Sequence, residues 1–443
     1  FIGLDSLEDL DRLKKKSLVC KGCTNHCQIA EFLFANGAKY RSGNRCEKIF
    51  SFETVADRKG LNLWQRKYDL IFDRKTKPDT KPIAVIGIPR ALNMYENFPF
   101  WCTLFVESGL EVVLSSPSTN KTSEYATGTI TSENICFPAK LVHGHIKELM
   151  EWNVDRIFFP MVVYEKTMLT SSHNSYNCPV VVGYPEVIRS TINPAGQGLI
   201  FDSFAVSFKE TELLKKNCFN YLRGFKVSRK KFNAAFDKAL SSMAPVRQSM
   251  KALNEETLQK ARDEKQQSIM LIGKPYHLDS LINHNIADII NCYGFDVLTD
   301  DVANISEENM NDYLHTIPQW EYANRVYNLA KWVRDQKDIH CVQLNSFGCG
   351  TDAVNNDEVK SILMEHNKTV LDLRIDEMTS AGSLKLRIRS MMESMAPIEK
   401  AIVRRKKSPV FLTEKHCKTI LTPNSIPFYL DFLKIFFCAK GYD

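Results

Sequence analysis

Ile83-Ala-Val-Ile-Gly-Ile-Pro89 and Ile269-Met-Leu-Ile-Gly-Lys-Pro275 are two copies of one sequence pattern, and this pattern decides the fold. Each apolar run predicts a strand, which is followed by a loop and an amphipathic helix. Each helix then ends at a glycine before a second apolar strand, in Gly109-Leu-Glu and in Gly294-Phe-Asp. Strand, helix and strand repeated with short connections are typical of parallel sheets, so the sequence predicts an α/β protein with an internal repeat.

The repeat divides the chain into predicted domains of a flavodoxin-like or Rossmann-like kind. The first α/β domain would close with strands at Arg156-Ile-Phe-Phe and Val180-Val-Val-Gly, and a third repeat would start at Thr419. The predicted divisions are an N-terminal helix and cysteine-rich knuckle at 1–50, a linker helix at 51–80, the first α/β domain at 81–205, a helical connector at 206–265, the second α/β domain at 266–400, and a linker with the start of a third, truncated β-α unit at 401–443.

Composition excludes several classes of protein. With 44% hydrophobic and 25% charged residues, the chain has the balance of a soluble globular protein rather than a disordered or fibrous one. The net charge of +6 is spread over 443 residues, so nucleic-acid binding is not expected. No secretory signal and no membrane span are recognised, which predicts a cytoplasmic protein whose 13 cysteines remain reduced.

Four cysteines form a C-x2-C-x3-C-x18-C pattern near the beginning of the sequence: Cys20, Cys23, Cys27 and Cys46. The segment contains too few apolar residues for a core of its own, and Asn36-Gly37 predicts a hairpin turn inside it. A metal centre could replace such a core, so a metal-binding knuckle is expected. Zinc and a 4Fe-4S cluster both accept four thiolates, and the spacing leaves the choice open.

Three further cysteines are predicted to lie at strand-helix junctions. Cys136 precedes a proline that suits the first turn of a helix, Cys178 precedes an apolar run, and Cys349 follows one. Ligands of parallel sheets bind at such ends, which makes these thiols candidate cluster ligands. The other six cysteines are expected to be small buried hydrophobic residues: Cys102, Cys218, Cys292, Cys341, Cys417 and Cys438.

Polar residues near these cysteines are candidates for catalysis or ligand contact. They are Lys140, His143 and His145 after Cys136, and Lys274 and His277 in Gly-Lys-Pro-Tyr-His. Each has an alternative as a surface group or a satisfied core histidine.

Arg90 occupies the loop equivalent to Lys274 and could bind an anion or be solvated. A competing fingerprint is Gly348-Cys-Gly350-Thr-Asp-Ala353, which fits G-x-G-x-x-A after a strand, with Asp372 as a ribose-binding acid. The same glycines would also let the backbone approach a cluster closely.

Several segments of the sequence together resemble one family, the acyl-CoA dehydratase activase-related proteins. They are Cys136-Phe-Pro-Ala-Lys-Leu-Val-His-Gly-His, Ser346-Phe-Gly-Cys-Gly-Thr-Asp, Cys20-Lys-Gly-Cys-Thr-Asn-His-Cys with Ser42-Gly-Asn-Arg-Cys46, and Leu371-Asp-Leu-Arg-Ile-Asp-Glu-Met-Thr. In this family, ATPase domains precede a portion similar to the subunits of 2-hydroxyglutaryl-CoA dehydratase. The chain begins at Phe1 and shows no ATPase domain, so that domain is expected upstream in a longer polypeptide or on another one.

The resemblance implies that Cys136, Cys178 and Cys349 hold one iron-sulfur cluster with an open iron, either a 4Fe-4S or a double-cubane cluster. An ATPase activase would drive electrons to it, and the substrate would be a small molecule or an acyl-CoA. A homodimer is one expected assembly. Two alternatives remain open, a non-catalytic metal-binding scaffold or electron-transfer module, and a dinucleotide-binding oxidoreductase.

Overall fold

The computed structural model of the chain describes residues 14–19, 28–33, 39–42, 59–169, 171–303 and 310–395. All of them belong to one compact unit, residues 1–401. The third copy of the repeat, expected from Thr419, lies outside the described residues, as do the residues before Lys14 where an N-terminal helix is expected. Within the described parts, no helix combines the length and the apolar character that crossing a membrane requires.

A small antiparallel sheet begins the described structure. Its strands are β1 (Lys14–Val19), β2 (Gln28–Leu33) and β3 (Lys39–Ser42), paired in that order. Antiparallel pairing of β2 with β3 agrees with the predicted hairpin, although Asn36-Gly37 itself lies outside the described residues. Helix α1 (Leu63–Phe72) follows, and its N-cap Asn62 accepts a hydrogen bond from the Gln65 amide at 3.1 Å.

The first repeat forms a parallel sheet with the strand order β5-β4-β6-β8. Its elements are β4 (Val85–Ile88), α2 (Met94–Ser108), β5 (Glu111–Leu114), α3 (Asn120–Ala126), α4 (Phe137–Glu151), β6 (Arg156–Phe158), β7 (Met161–Tyr164), α5 (Pro179–Thr191), β8 (Ile200–Asp202) and β9 (Ala205–Ser207), of which β7 and β9 pair separately. Gly109 ends α2 with φ 94°, the left-handed conformation that glycine adopts without strain.

One predicted strand is wrong. Val180 to Gly183 belong to helix α5, not to a strand. Pro179 occupies the first turn, where its fixed φ favours a helix, and the side chains of Val181, Tyr184 and Ile188 are buried. Packing at helical spacing therefore overrides the preference of consecutive valines for a strand.

The connector between the repeats is helical, as predicted. It comprises α6 (Thr211–Arg223), α7 (Arg229–Ser241) and α8 (Ala244–Asp263). Pro245 lies in the first turn of α8, where a missing amide donor costs nothing, so the proline marks the break between α7 and α8.

The second repeat forms another parallel sheet, in the order β11-β10-β12-β13. Its elements are β10 (Ser268–Ile272), a 3-10 turn (Pro275–Leu278), α9 (Ile286–Cys292), β11 (Asp296–Leu298), α10 (Glu321–Arg334), β12 (Ile339–Ser346), α11 (Gly350–Met364), β13 (Val370–Ile375) and α12 (Ala381–Glu393). In both sheets the second strand of the repeat lies beside the first, and the third and fourth follow on the other side. The predicted parallel strand-helix-strand repeat and the α/β fold class are confirmed.

The two repeats pack against each other through β10. Ile269 and Leu271 join the core that also contains Ile86 and Phe98 of the first repeat. Met270 and Ile272 point to the other side and join a second core. This alternation is the period-two geometry of a strand buried on both faces.

Candidate functional site

The three cysteines predicted as cluster ligands share one structural position. Cys136, Cys178 and Cys349 are the N-cap residues of α4, α5 and α11, respectively. The first turn of a helix carries amide groups without partners in the helix, and its dipole favours negative charge nearby. Each thiol is therefore attached next to a helix end whose dipole favours negative charge.

Exposure separates these thiols from the other cysteines of the described chain. Cys136, Cys178 and Cys349 are free and only partly buried. The remaining described cysteines are fully buried, which confirms their interpretation as core residues: Cys102, Cys218, Cys292 and Cys341. Burial raises the pKa of the Cys341 thiol to about 12, so this sulfur stays protonated.

Lys274, at the end of β10, contacts the thiol of Cys349. Its Nζ lies 3.3 Å from the Cys349 Sγ, 3.2 Å from the Thr351 Oγ1 and 2.8 Å from the Asp352 Oδ1. The side chains of Lys274 and Asp352 are only 6% and 4% exposed. Burial opposes the lysine charge, but Tyr276, Asp352 and Cys349 outweigh it and raise the pKa of Lys274 well above its ordinary value. Lys274 is consequently a fixed cation beside the sulfur.

Cys178 faces the same region from the first repeat. It lines a pocket together with Lys274 and Thr351, the same two side chains that contact each other beside Cys349. The complete lining of this pocket is Tyr176, Cys178, Lys274, Trp320, Tyr322, Ala323, Thr351 and Asn355.

Cys136 completes the group. Burial raises the pKa of its thiol to about 11, while the Ala139 amide and Lys274 act in the opposite direction, and the Cys349 and Cys178 thiols add to the rise. The Cys136 thiol is therefore within electrostatic range of Lys274 and of the other two thiols.

The loops that carry Cys136 and Cys349 also touch through their backbones. Gly348 has φ 74°, and a Cβ on it would lie 3.1 Å from the carbonyl oxygen of Asn134. Such a contact favours a glycine next to Cys349, because a side chain would press on the loop before Cys136.

No three His, Cys, Asp or Glu side chains of the described residues are placed to hold a single metal ion. A 4Fe-4S cluster is larger than one ion and accepts thiolates on different irons, so its ligands can be more widely spaced. Half-buried thiols, three helix N-termini and a lysine charge suit such an anionic group.

His277 holds the loop of Lys274. The Lys274 amide donates to its Nδ1 at 3.2 Å, which assigns the ring proton to Nε2, and Nε2 then donates to the Ser346 Oγ at 3.1 Å. Burial lowers the pKa of His277 to about 3, so the ring is neutral. Ser346 in turn donates its amide to Asp352 at 2.8 Å, which links this histidine to the lysine partner.

His143 and His145 are also buried and have hydroxyl partners. His143 contacts the Tyr184 hydroxyl at 3.0 Å and the Thr129 hydroxyl at 3.1 Å, and burial lowers the pKa of His143 to about 4. His145 contacts Ser115 and Ser118 at 3.0 Å each, and burial lowers its pKa to about 3.

Gly144, between these histidines, lets α3 approach α4, since a Cβ there would lie 2.0 Å from the Thr122 carbonyl oxygen. Lys140 forms a short ion pair with Glu377 of the second repeat. The catalytic roles considered for these residues stay predictions.

Sequence reasoning missed a buried carboxyl group next to the pocket. Glu165, which follows β7, is 1% exposed and accepts hydrogen bonds from Tyr322 at 2.9 Å and from Asn177 at 3.0 Å. Burial, with Glu96 adding to it, raises the pKa of Glu165 to about 7. Its only sequence signal is an acid directly after an apolar strand. Thr351, Asp352, Trp320 and Tyr322 were likewise not singled out.

The position of Asp372 gives little support to the alternative of a dinucleotide-binding site. This residue pairs with Gln343 in the interior of the β12-β13 ladder, away from the carboxyl end where a ribose-binding acid lies. Its carboxylate accepts hydrogen bonds from Asn345 at 2.5 Å and from Asn356 at 3.1 Å. Arg90 is also turned inward, donating to the Tyr68 hydroxyl at 2.8 Å.

The knuckle cysteines Cys20, Cys23, Cys27 and Cys46 lie outside the described residues. Their ligand role stays a prediction.

Comparison with known families agrees with the expected relationship at a coarser level. Residues 85–303 match the family model described as CoA enzyme activase uncharacterised domain (DUF2229), slightly less than half of the 443 residues. The matched part includes Cys136, Cys178 and Lys274 and ends before Cys349. This part of the chain is thus similar to a domain of CoA enzyme activases. No curated protein matches the chain.

Proposed function

We propose that this protein is the iron-sulfur cluster-carrying component of an ATP-dependent, low-potential reductase or dehydratase system related to the 2-hydroxyacyl-CoA dehydratases. The observation that carries the proposal is the grouping of Cys136, Cys178 and Cys349 at three helix N-termini around Lys274. The similarity of residues 85–303 to a CoA enzyme activase domain supports the same assignment.

In this proposal each residue at the site has a defined task. The three cysteines are thiolate ligands, and Gly348 allows the Cys349 loop to lie close to the Cys136 loop. Lys274 and the helix N-termini offset the negative charge of the thiolates and of the bound group. An iron-sulfur cluster supplies one-electron chemistry when it is bound. Asp352 and His277 position Lys274, the first through its side chain and the second through its backbone amide.

Electrons would come from an ATPase activase domain, in cis or in trans, and the acceptor would be a small molecule or an acyl-CoA. The knuckle cysteines would hold a second centre, zinc or a 4Fe-4S cluster. Val19 and Gln28, the neighbours in sequence of Cys20 and Cys27, are paired across β1 and β2, which is consistent with a cross-linked knuckle.

A second candidate is an electron-transfer module without catalysis of its own. It is favoured by the histidines His143, His145 and His277, which are buried, neutral and occupied by protein partners. The two candidates differ in whether a substrate changes the cluster signal.

Anaerobic purification followed by iron, sulfide and zinc analysis tests the proposal. We expect Cys349→Ser and Cys136→Ser to lose the cluster iron while the second centre is retained. Cys341→Ser is the matched control, because Cys341 lies on the strand that leads to Cys349 but is fully buried. Equal iron in Cys349→Ser and Cys341→Ser, or no iron in the unaltered protein, would overturn the assignment.

A further inference from the structure

The helices that carry the cysteines are related by the internal repeat. In each repeat, one helix lies directly before the third strand of the sheet and another lies between the third and fourth strands. The latter pair is α5 and α11, whose N-caps are Cys178 and Cys349. The former pair is α4 and α10, whose N-caps are Cys136 and Trp320. Three of four equivalent positions are therefore cysteines, and the fourth is a tryptophan.

Trp320 lies in the same pocket as Cys178 in the folded chain. It lines the pocket that also contains Cys178, Lys274 and Thr351. Its position is fixed from the first repeat, because the Glu321 amide donates to the Tyr176 carbonyl at 3.0 Å and the Tyr176 amide donates to the Gln319 carbonyl at 2.9 Å. Tyr176 and Trp320 also have their ring centroids 6.1 Å apart.

We propose that Trp320 stands where the repeat would otherwise provide a fourth thiolate, so that one iron has no cysteine ligand and the indole forms the wall beside that open position. This inference rests on the proposed function. It makes Trp320 a specificity-determining residue, because whatever binds the open iron must fit against its ring.

The lining defines the kind of ligand that would bind there. Tyr176, Trp320 and Tyr322 provide aromatic walls, and Thr351 and Asn355 provide a hydroxyl and an amide group. A small ligand with an oxygen or nitrogen donor for iron and a compact apolar part suits these walls. A branched ligand of larger size would collide with the indole.

The matched variants are Trp320→Cys and Trp320→Ser, which are close in size but differ in the ability to ligate iron as a thiolate. Cyanide is the probe, and its effect on the spectrum of the anaerobically reduced protein is titrated. We expect the unaltered protein and Trp320→Ser to respond to cyanide. In Trp320→Cys the response should weaken at least about tenfold, with iron and sulfide content unchanged. A Trp320→Cys protein with full iron and an unaltered response would overturn the inference.

A second variant tests the inference if Trp320→Cys does not fold or does not bind the cluster. Trp320→Phe removes part of the wall, so binding of tert-butyl isocyanide should strengthen at least about fivefold while that of cyanide changes little. Equal changes for both probes would contradict the role of Trp320. If the unaltered protein contains no cluster, the proposed function fails before Trp320 is tested.

Discussion

The two repeats share their strand order and helix connections, yet they place different chemistry at equivalent positions. Cys178 and Cys349 are equivalent N-caps, whereas Cys136 in the first repeat corresponds to Trp320 in the second. Helix α2 of the first repeat has 15 residues, whereas the second repeat has a 3-10 turn and the 7-residue α9. The duplicated framework therefore fixes where helices begin, and individual residues decide what is presented there.

The loops after β4 and β10 show the same divergence. Lys274 is directed at Cys349 and paired with Asp352. Arg90 instead lies over the Phe72 ring, 4.4 Å from its centroid, and donates to the Ser115 carbonyl at 3.1 Å. One cation therefore contacts a candidate ligand and the other packs in the core, although both occupy equivalent loops.

The largest expected effect is a difference in unfolding free energy between variants of Lys274 and Arg90. Lys274→Met would leave the buried Asp352 carboxylate without its partner, which costs about 3–5 kcal/mol of unfolding free energy. Arg90→Met loses hydrogen bonds and a ring contact but leaves no buried charge, so about 1–2 kcal/mol is expected. Urea unfolding of both variants measures the difference. Equal losses would mean that the two loops are energetically alike, and the Lys274→Met/Asp352→Asn double variant should recover part of the loss.

A smaller effect concerns the buried carboxyl groups of the two repeats, whose pKa values shift in opposite directions. The pKa of Glu165 is raised to about 7, so its ionisation destabilises the fold progressively as pH rises from the unfolded value near 4.5 towards 7. Between pH 5 and 8 the free energy of unfolding of Glu165→Gln should gain roughly 2–3 kcal/mol relative to the unaltered protein.

Asp352→Asn is the control for this pH dependence. Burial opposes the Asp352 charge, but Lys274 outweighs it and lowers the pKa of Asp352 below its ordinary value. This carboxylate therefore contributes its full stability at any pH above its pKa in the unfolded chain. The contribution is lost only as pH falls through its lower pKa in the folded protein. The difference between Asp352→Asn and the unaltered protein should stay constant from pH 5 to 8. A pH-independent difference for Glu165→Gln would contradict the raised pKa.

The smallest effect tests the loop before Cys349. Gly348→Ala forces a side chain into a left-handed conformation and against Asn134, at a cost of about 1–2 kcal/mol. Gly350→Ala is the matched control, because a Cβ at this position has no heavy atom within 4 Å and alanine favours the first turn of α11. The midpoint temperature of thermal unfolding should therefore be lower only in the Gly348→Ala variant. Similar midpoints would mean that the loops of Cys136 and Cys349 are not in contact.

Local sequence patterns predicted the repeat, its parallel strands and the helices of the connector, because apolar spacing and glycine caps act within a few residues. They also selected Cys136, Cys178 and Cys349 on motif and position; each begins a helix and each interacts with Lys274 or lines a pocket with it, while their role as cluster ligands stays a prediction. The strand predicted at Val180 to Gly183 was wrong, because the helix found there depends on packing that the valines alone do not reveal. Trp320 and Glu165 could not be selected, since their importance comes from residues of the other repeat.

The backbone ladder between Tyr176 and Trp320 has a consequence for the order of assembly. Its hydrogen bonds join segments that are distant in the chain, and the entropy of closing such a loop is lost before the contact is gained. During synthesis the first repeat precedes α10, so Cys178 is made before Trp320, which lines the same pocket. A group bound by all three thiols can therefore acquire its complete set of ligands only once the second repeat, which carries Cys349, has folded against the first.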